Sequence, residues 1–503
     1  MVGYEIMSVY KASLYNYLFN SINSIVVIIN GILLVPLYFH YMPVSVYGAW
    51  LASGNLMAMI GLLSGGFAGV ITQKMAAAIS QNNKQEFLEL AGTNIILAVI
   101  GASLIFVAAI ALSSFVPGIV NVEAEYASDI KHAFQVSAFS TSLALLVSLF
   151  GAFPQVWQET KQVGTINLVV NLLGIATTII ALIAGLGVIS LPLGYVTRSV
   201  LNLLLQGRWI ITYWKQHESQ KPIYKLSKVP YIVKENVMPF TAHICSVLMG
   251  QSQSLILASA INPALAAVYD LTSKIAVCLF NFVAMAKGSF FALLSLTFGK
   301  GDMKESNRVS GTIIQYFSIF IAIIIVLSMC FTKPIMHFWV GLDKFGGDWL
   351  LLIIVFSTAI AQYKTLLNDF LFSGGQINRS ARFDIFSLVL YIGLLAVLVR
   401  AINEYALPTS MLIVNAVFTM LYMTYIKKYI GIDTNKLYGL IIKNGLITVP
   451  FILLYFIFPT DYSNIWLQVA LLVIVSIILG ATLLAANPEV YRTLRSRIIR
   501  VKL

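Results

Sequence analysis

The chain is short of charge. Only 10% of its 503 residues are Asp, Glu, Lys or Arg, against roughly a quarter in soluble domains, and that deficit excludes a soluble globular protein. Cysteine is nearly absent as well. Cys245, Cys278 and Cys330 all fall in apolar stretches and show no metal-ligand spacing, which excludes a disulfide framework and a cysteine metal centre. Phosphate-binding loops, zinc-protease helices and nucleophile elbows are missing, so direct ATP hydrolysis has no residues to carry it. Predicted loops on the charge-poor side are short, the longest running over 117–131, which leaves no room for an external catalytic domain. The chain reads as a non-enzyme that needs no cofactor.

What fills the chain is apolar. Hydrophobic residues make up 59% of it and the mean hydropathy is +0.87. A transmembrane helix takes about 20 apolar residues, because the hydrocarbon core is roughly 30 Å thick and each helical residue rises about 1.5 Å. Windows of that length fall at 14–39, 46–71, 92–116, 133–153, 163–186, 191–214, 236–260, 265–297, 309–331, 347–374, 381–402, 406–426, 438–459 and 464–487. The sequence therefore predicts an all-α, polytopic membrane protein of about fourteen spans, or twelve if the last pair is interfacial. No small-residue cleavage site follows the first window, so that helix is expected to stay in the protein.

The charge that is present is lopsided. Lys and Arg exceed Asp and Glu by 12, and they gather in alternate loops: Lys74 and Lys84, the run Lys215 to Lys234, Lys300 to Arg308, Lys427 to Lys443, and the tail Arg492 to Lys502. The other side has only Lys131, Lys333, Lys344 and Arg400. Cytoplasmic loops hold the positive excess, so both termini are placed in the cytoplasm. The basic tail then suits anionic membrane lipids rather than nucleic acid.

The longest polar stretch separates residues 1–214, a six-span bundle, from 236–430, a second one, with 215–235 as a cytoplasmic linker. Residues 431–503 add two spans and the basic tail. Those two spans shape a groove for a lipid tail or anchor the C-terminus. The bundles look like repeats: Val46-Tyr47-Gly48 follows Pro43 in one, and Val268-Tyr269-Asp270 follows Pro263 in the other. A repeat of this size suggests a pseudo-two-fold transporter. Gly61, Gly65 and Gly69 recur every fourth residue in the second window, which predicts a face for close helix packing.

Charges inside spans are the informative exceptions, each costing about 2.5–3.5 kcal/mol at a helix centre on the insertion scale. Arg198 and Arg208 in the sixth window, Lys274 and Lys287 in the eighth and Lys364 in the tenth are such cations, and Arg208 is near enough to an end to snorkel. Asp270, one turn before Lys274, and Asp369 are the acids set against them. Five cations against two acids leave a positive surplus that suits an anionic ligand. Structural ion pairs fastening helices are the competing reading. The Asn and Gln side chains of the first and seventh windows, with His243, fit interhelical hydrogen bonds better than substrate contacts.

Leu34-Val35-Pro36-Leu37-Tyr38, Tyr47-Gly48-Ala49-Trp50, the Gly61 to Gly69 stretch and Ile71-Thr72-Gln73-Lys74 together resemble the opening of Wzx-type polysaccharide flippases. These belong to the multidrug/oligosaccharidyl-lipid/polysaccharide exporter superfamily. Ala267 to Lys274 and on to Gly299 is similar to the matching element of their second half. The resemblance implies translocation of an undecaprenyl-pyrophosphate-linked oligosaccharide, such as an O-antigen unit, across a bacterial inner membrane by alternating access. It also implies association with polysaccharide polymerase and chain-length machinery. Arg198, Lys274, Lys287 and Lys364 are then expected to line a cationic cavity, with Asp270 and Asp369 as ion-pair or coupling groups. A drug exporter of the same superfamily is the alternative, although the first window lacks the acidic residue typical of such exporters. Lipid II flippases differ too, since their first-helix arginine motif is missing here. A membrane glycan polymerase or ligase is a further alternative.

Overall fold

The computed structural model describes residues 34–490, apart from 63–66, 158, 219, 300–301, 375 and 458–464, together with isolated residues of the first span at 22–23, 26 and 30–31. The basic tail and most of the first window lie outside the described residues. Within them the chain is helical and contains no strand. Contacts divide it into two compact units, Met1–Ala267 and Val268–Leu503. The first holds α1 (Val44–Gly61), α2 (Phe67–Ser80), α3 (Lys84–Leu112), α4 (Ala127–Phe150), α5 (Thr160–Ile183), α6 (Ser190–His217) and α7 (Val229–Ala260). The helix α8 (Pro263–Gly299) begins at its end. The second unit continues with α9 (Met303–Trp339), α10 (Asp348–Ser373), α11 (Ile377–Ile402), α12 (Ala406–Tyr429), α13 (Thr434–Ile457) and α14 (Ile465–Ala486).

The protein is a multi-pass, all-α membrane protein. Nine helical stretches among the described residues are long and apolar enough to cross a bilayer, and one of these, Arg379–Tyr429, is two helices joined by a tight turn. From the third window onward each apolar window falls on one helix, α3 to α14. The helices overrun the windows where a polar cap starts them in the interfacial layer. Asn83 Oδ1 accepts from Glu86 N at 3.1 Å before α3, and Asp302 Oδ1 accepts from Glu305 N at 3.1 Å before α9. Each cap satisfies an amide that the helix leaves open.

Of the glycine stripe in the second window only Gly61 can be followed, since the surroundings of Gly65 and Gly69 lie outside the described residues. Gly61 ends α1, and a Cβ there would meet nothing within 4 Å. The close approach is at Gly48, where a Cβ would stand 1.8 Å from the carbonyl oxygen of Pro263. This contact holds the start of α8 against α1, and the packing of α7 on α1 places α7 in the first unit.

The segment after α6 is strapped to the first unit. Ile223 N donates to Leu88 O at 2.9 Å, and Gly92 admits this strap because a Cβ would sit 2.2 Å from Ile223 O. Glu89, 5% exposed, accepts from Lys225 and lies 2.7 Å from Lys228 Nζ, while Lys84 pairs with Glu218 at 3.2 Å. Beneath the strap Phe87 stacks on Trp214 at 5.7 Å, and the indole Nε1 donates to Gln220 O at 2.9 Å. Glu89 belongs to the polar opening turns of α3, before its apolar window begins.

In the second unit α13 and α14 dock on α9. Ala322 and Val326 of α9 bury against Leu479 and Leu483 of α14, with Ile447 and Phe451 of α13 alongside. Polar clamps hold both ends. Asn487 donates to Asn444 at 2.9 Å and accepts from Lys443 at 3.3 Å, while Asp348 accepts from Lys333 at 2.9 Å and from Tyr455 at 2.5 Å. The last pair of spans is thus packed on the bundle through both apolar and polar contacts.

Two outcomes are expected. Gly48→Ala should destabilise the detergent-solubilised protein by about 1–3 kcal/mol, because a backbone carbonyl cannot retreat as a side chain would; thermal unfolding measures it. The two ammonium groups hold the Glu89 carboxyl at about 2, well below its usual value near 4.5. The stabilisation is therefore full above the unfolded pKa and is lost as pH falls toward 2. Glu89→Gln should lower Tm by a few degrees at pH 7, and the gap to the parent protein should close on acidification from pH 4.5.

Candidate functional site

The second unit gathers most of the intramembrane charge. On α8, Lys274 Nζ lies 3.0 Å from Asp270 Oδ2, one turn earlier on the same face. Further along α8, Lys287 Nζ lies 3.4 Å from Asp369 Oδ2 on α10. Lys364 of α10 lies 3.9 Å from Asp384 Oδ1 on α11, donates to Ser387 Oγ at 3.1 Å and stands 5.7 Å from the Phe418 ring centroid of α12. Ser387 Oγ in turn donates to Asp384 O at 2.8 Å. Each lysine thus has an acid.

This revises the charge balance. The count of two acids omitted Asp384, which lies inside the 381–402 window and was legible by the same rule that marked Asp369. The three lysines are compensated, and of the five cations against three acids the surplus rests on Arg198 and Arg208. Helical geometry explains the partners: Asp369 points away from Lys364, five residues before it, and so reaches α8, while Lys364 turns toward α11. Lys274 and Lys287, some 140° apart on a regular helix, are served separately, one within α8 and one from α10. Asn368, one turn after Lys364, accepts instead from Ser380 Oγ.

The pairs differ in accessibility. Lys364 is 7% exposed, whereas Lys274, Asp270, Lys287 and Asp369 are half-buried. A half-buried pair can exchange its acid for an incoming anion. Removing one partner of the buried pair strands the other, which costs about 3–5 kcal/mol.

Arg198 belongs to the first unit and differs from the lysines. It lies on α6, beside a cavity of about 320 Å³ lined also by Ser140, Thr141, Tyr195, Ser199 and Asn202. Its Nε is buried without a hydrogen-bond partner, and its guanidinium lies 5.5 Å from the Tyr195 ring centroid. One glycine gives it room and a second lets α5 and α6 approach. A Cβ on Gly174 of α5 would sit 2.4 Å from Arg198 Cγ and 2.6 Å from Nε, and one on Gly194 would meet Thr178 Oγ1 at 2.0 Å. The cavity wall is braced by Ser199 Oγ donating to Ser140 O at 2.9 Å. Gly174 and Tyr195 carried no sequence signal, since their role comes from the α5–α6 contact. Arg208, the other arginine of α6, is exposed.

The polar amides divide as their chemistry suggests. Asn171 donates to Asn23 at 3.0 Å and Asn94 to Leu149 O at 2.8 Å, both between helices. Asn16 and Asn20, and the side chains of His243 and Gln251, lie outside the described residues. Among the described residues, no group of three His, Cys, Asp or Glu side chains could hold a metal ion.

No family model matches the chain, and no curated protein matches it. Solved structures do. The lipid II flippase MurJ in an inward closed conformation aligns with a TM-score of 0.70 at 12% identity, covering 94% of this chain and 99% of that one. An inward-facing multidrug resistance MATE family transporter of the MOP superfamily aligns at 0.66 and 12% identity over 81% of this chain and 94% of its own. The Vibrio cholerae MATE transporter VcmN in its bent form gives 0.54 at 12% identity, covering 86% and 99%. The chain has the fold of MATE transporters and MurJ. These similar structures are transporters and a flippase, not enzymes.

The Lys364 pair is testable by a double-mutant cycle. Lys364→Ala should cost about 3–5 kcal/mol in thermal unfolding by leaving Asp384 uncompensated. Adding Asp384→Asn should recover about 1–3 kcal/mol of it, as expected for contacting partners.

Proposed function

We propose that this protein is a flippase that moves an undecaprenyl-pyrophosphate-linked oligosaccharide, such as an O-antigen repeat unit, across the bacterial inner membrane by alternating access. The observation that carries the reading is coverage. The likeness to the lipid II flippase takes in 94% of this chain, whereas the MATE structures take in 81–86% of it. The match to a flippase of a lipid-linked substrate therefore extends over the added length that suits a lipid-linked cargo. The Wzx-type motifs supply the sugar class, and the positive excess of alternate loops puts both termini in the cytoplasm.

In this scheme the cargo's pyrophosphate meets cations that can release it. Arg198, with its buried Nε unmatched, offers planar donors beside the hydroxyls of Ser140 and Ser199. Lys274 and Lys287 act as point charges, and an incoming phosphate displaces Asp270 or Asp369 from them. The freed carboxylate is then the group able to take up a proton and couple transport to an ion gradient. Lys364, more deeply held, orders α10 against α11. A negative interior drives each anionic charge outward by up to about 2.3 kcal/mol per 100 mV. Residues 1–214 and 236–430 serve as the two repeat bundles, with α7 of the second packed on α1 of the first, residues 431–503 serve as an appended pair, and polymerase and chain-length proteins take the delivered unit.

A second reading, export of a small molecule, is favoured by the MATE alignments. The two separate in one experiment. Proteoliposomes containing a lipid-linked oligosaccharide are probed from outside with a glycosidase, and dye efflux is followed in parallel. Flipping is expected without dye transport, and Arg198→Ala should slow it about ten- to hundredfold, the worth of one or two charge-assisted hydrogen bonds. If Arg198→Ala, Lys274→Ala and Lys287→Ala all flip at the parent rate with normal protein levels, these residues do not bind the cargo.

A further inference from the structure

The hairpin of α11 and α12 ends in a group of cations that the transport scheme does not use. Arg379 lies at the start of α11 and stacks on Tyr429 at the end of α12, its guanidinium carbon 3.4 Å from the ring centroid. Lys428 Nζ lies 5.3 Å from the same centroid. Arg382 and Lys427 are exposed beside them. Among the described residues none of these four cations forms an ion pair, although the second unit pairs its other buried lysines with acids. The Arg379 Nη1 is buried and has no hydrogen-bond partner.

Like charges set around one ring repel, and cation–π attraction offsets only part of that. The start of α11 adds to the positive potential, because its amides lack a side-chain cap. Basic residues usually avoid a helix N-terminus for that reason. Both features are relieved by one partner, an anion that accepts from Arg379 and lies against Lys428.

The surroundings choose the source of that anion. These are the ends of two membrane-spanning helices, so the cluster sits where head groups lie. From Arg382 an apolar stripe runs into the hydrocarbon, with Phe386 at 62% and Val389 at 64% exposure, one and two turns along the same face. A phosphate at the cluster with acyl chains along Phe386 and Val389 matches both halves of the feature. Basic pockets between membrane helices hold anionic head groups in this way. We propose that Arg379, Lys428 and Tyr429 form a binding site for the phosphate of an anionic phospholipid, with Arg382 and Lys427 raising the local potential.

The experiment titrates the purified full-length protein in detergent with phosphatidylglycerol or phosphatidylcholine of identical chains and counts lipid adducts by native mass spectrometry. Phosphatidylglycerol should bind more tightly than phosphatidylcholine. Arg379→Gln and Lys428→Gln should each weaken it about fivefold and leave phosphatidylcholine unchanged, the value of one cation near a charged head group. Lys428 is exposed, so its variant reports on binding even if Arg379→Gln folds poorly. Equal binding of the two lipids, or unchanged phosphatidylglycerol affinity in both variants, overturns the proposal. Inorganic phosphate at the same concentration should not displace the lipid, since it has no chains to lie on Phe386 and Val389. Displacement by it would assign the site to a free anion instead.

Discussion

Hydrocarbon cannot hydrogen-bond, and the architecture follows from that one constraint. Each backbone amide and carbonyl inside the bilayer must find its partner within the segment, so the described chain is helical and contains no strand. The same solvent penalises an unpaired charge. Lysines at 274, 287 and 364 persist because Asp270, Asp369 and Asp384 meet them. All three pairs remove the penalty, and the Lys287–Asp369 and Lys364–Asp384 pairs also join different helices.

Where charge is not neutralised, it marks places open to a ligand. Arg198 is given room by Gly174 yet has no matched acceptor at Nε. Under the proposed function that side chain, beside a cavity lined by hydroxyls, is the one that meets the anion. The pairs differ in burial, since Lys274 and Lys287 are half-buried with their acids and Lys364, paired with Asp384, is buried.

The two units are built by different local means. Glycines at 48 and 92 let backbone meet backbone in the first, which seats the start of α8 on α1 and straps the segment after α6 onto α3. In the second, side-chain clamps at Asp348 and Asn487 hold α13 and α14 on α9. Small residues work where helices approach closely, and long polar side chains work where gaps must be bridged.

Fourteen apolar windows, the asymmetry of Lys and Arg and the intramembrane charges were all readable in the chain, because each depends on the transfer cost of residues taken one at a time. Asp384 was readable too, by the same transfer cost. Pairing was not readable. Which acid meets Lys287, that Gly48 rather than Gly61 makes the close approach, and that α7 joins the first unit all depend on contacts between residues far apart in sequence. Hydropathy is a property of a segment, and so the sequence by itself determined what enters the membrane. A contact is a property of two segments at once, and only the tertiary structure decided which charges stay unmatched.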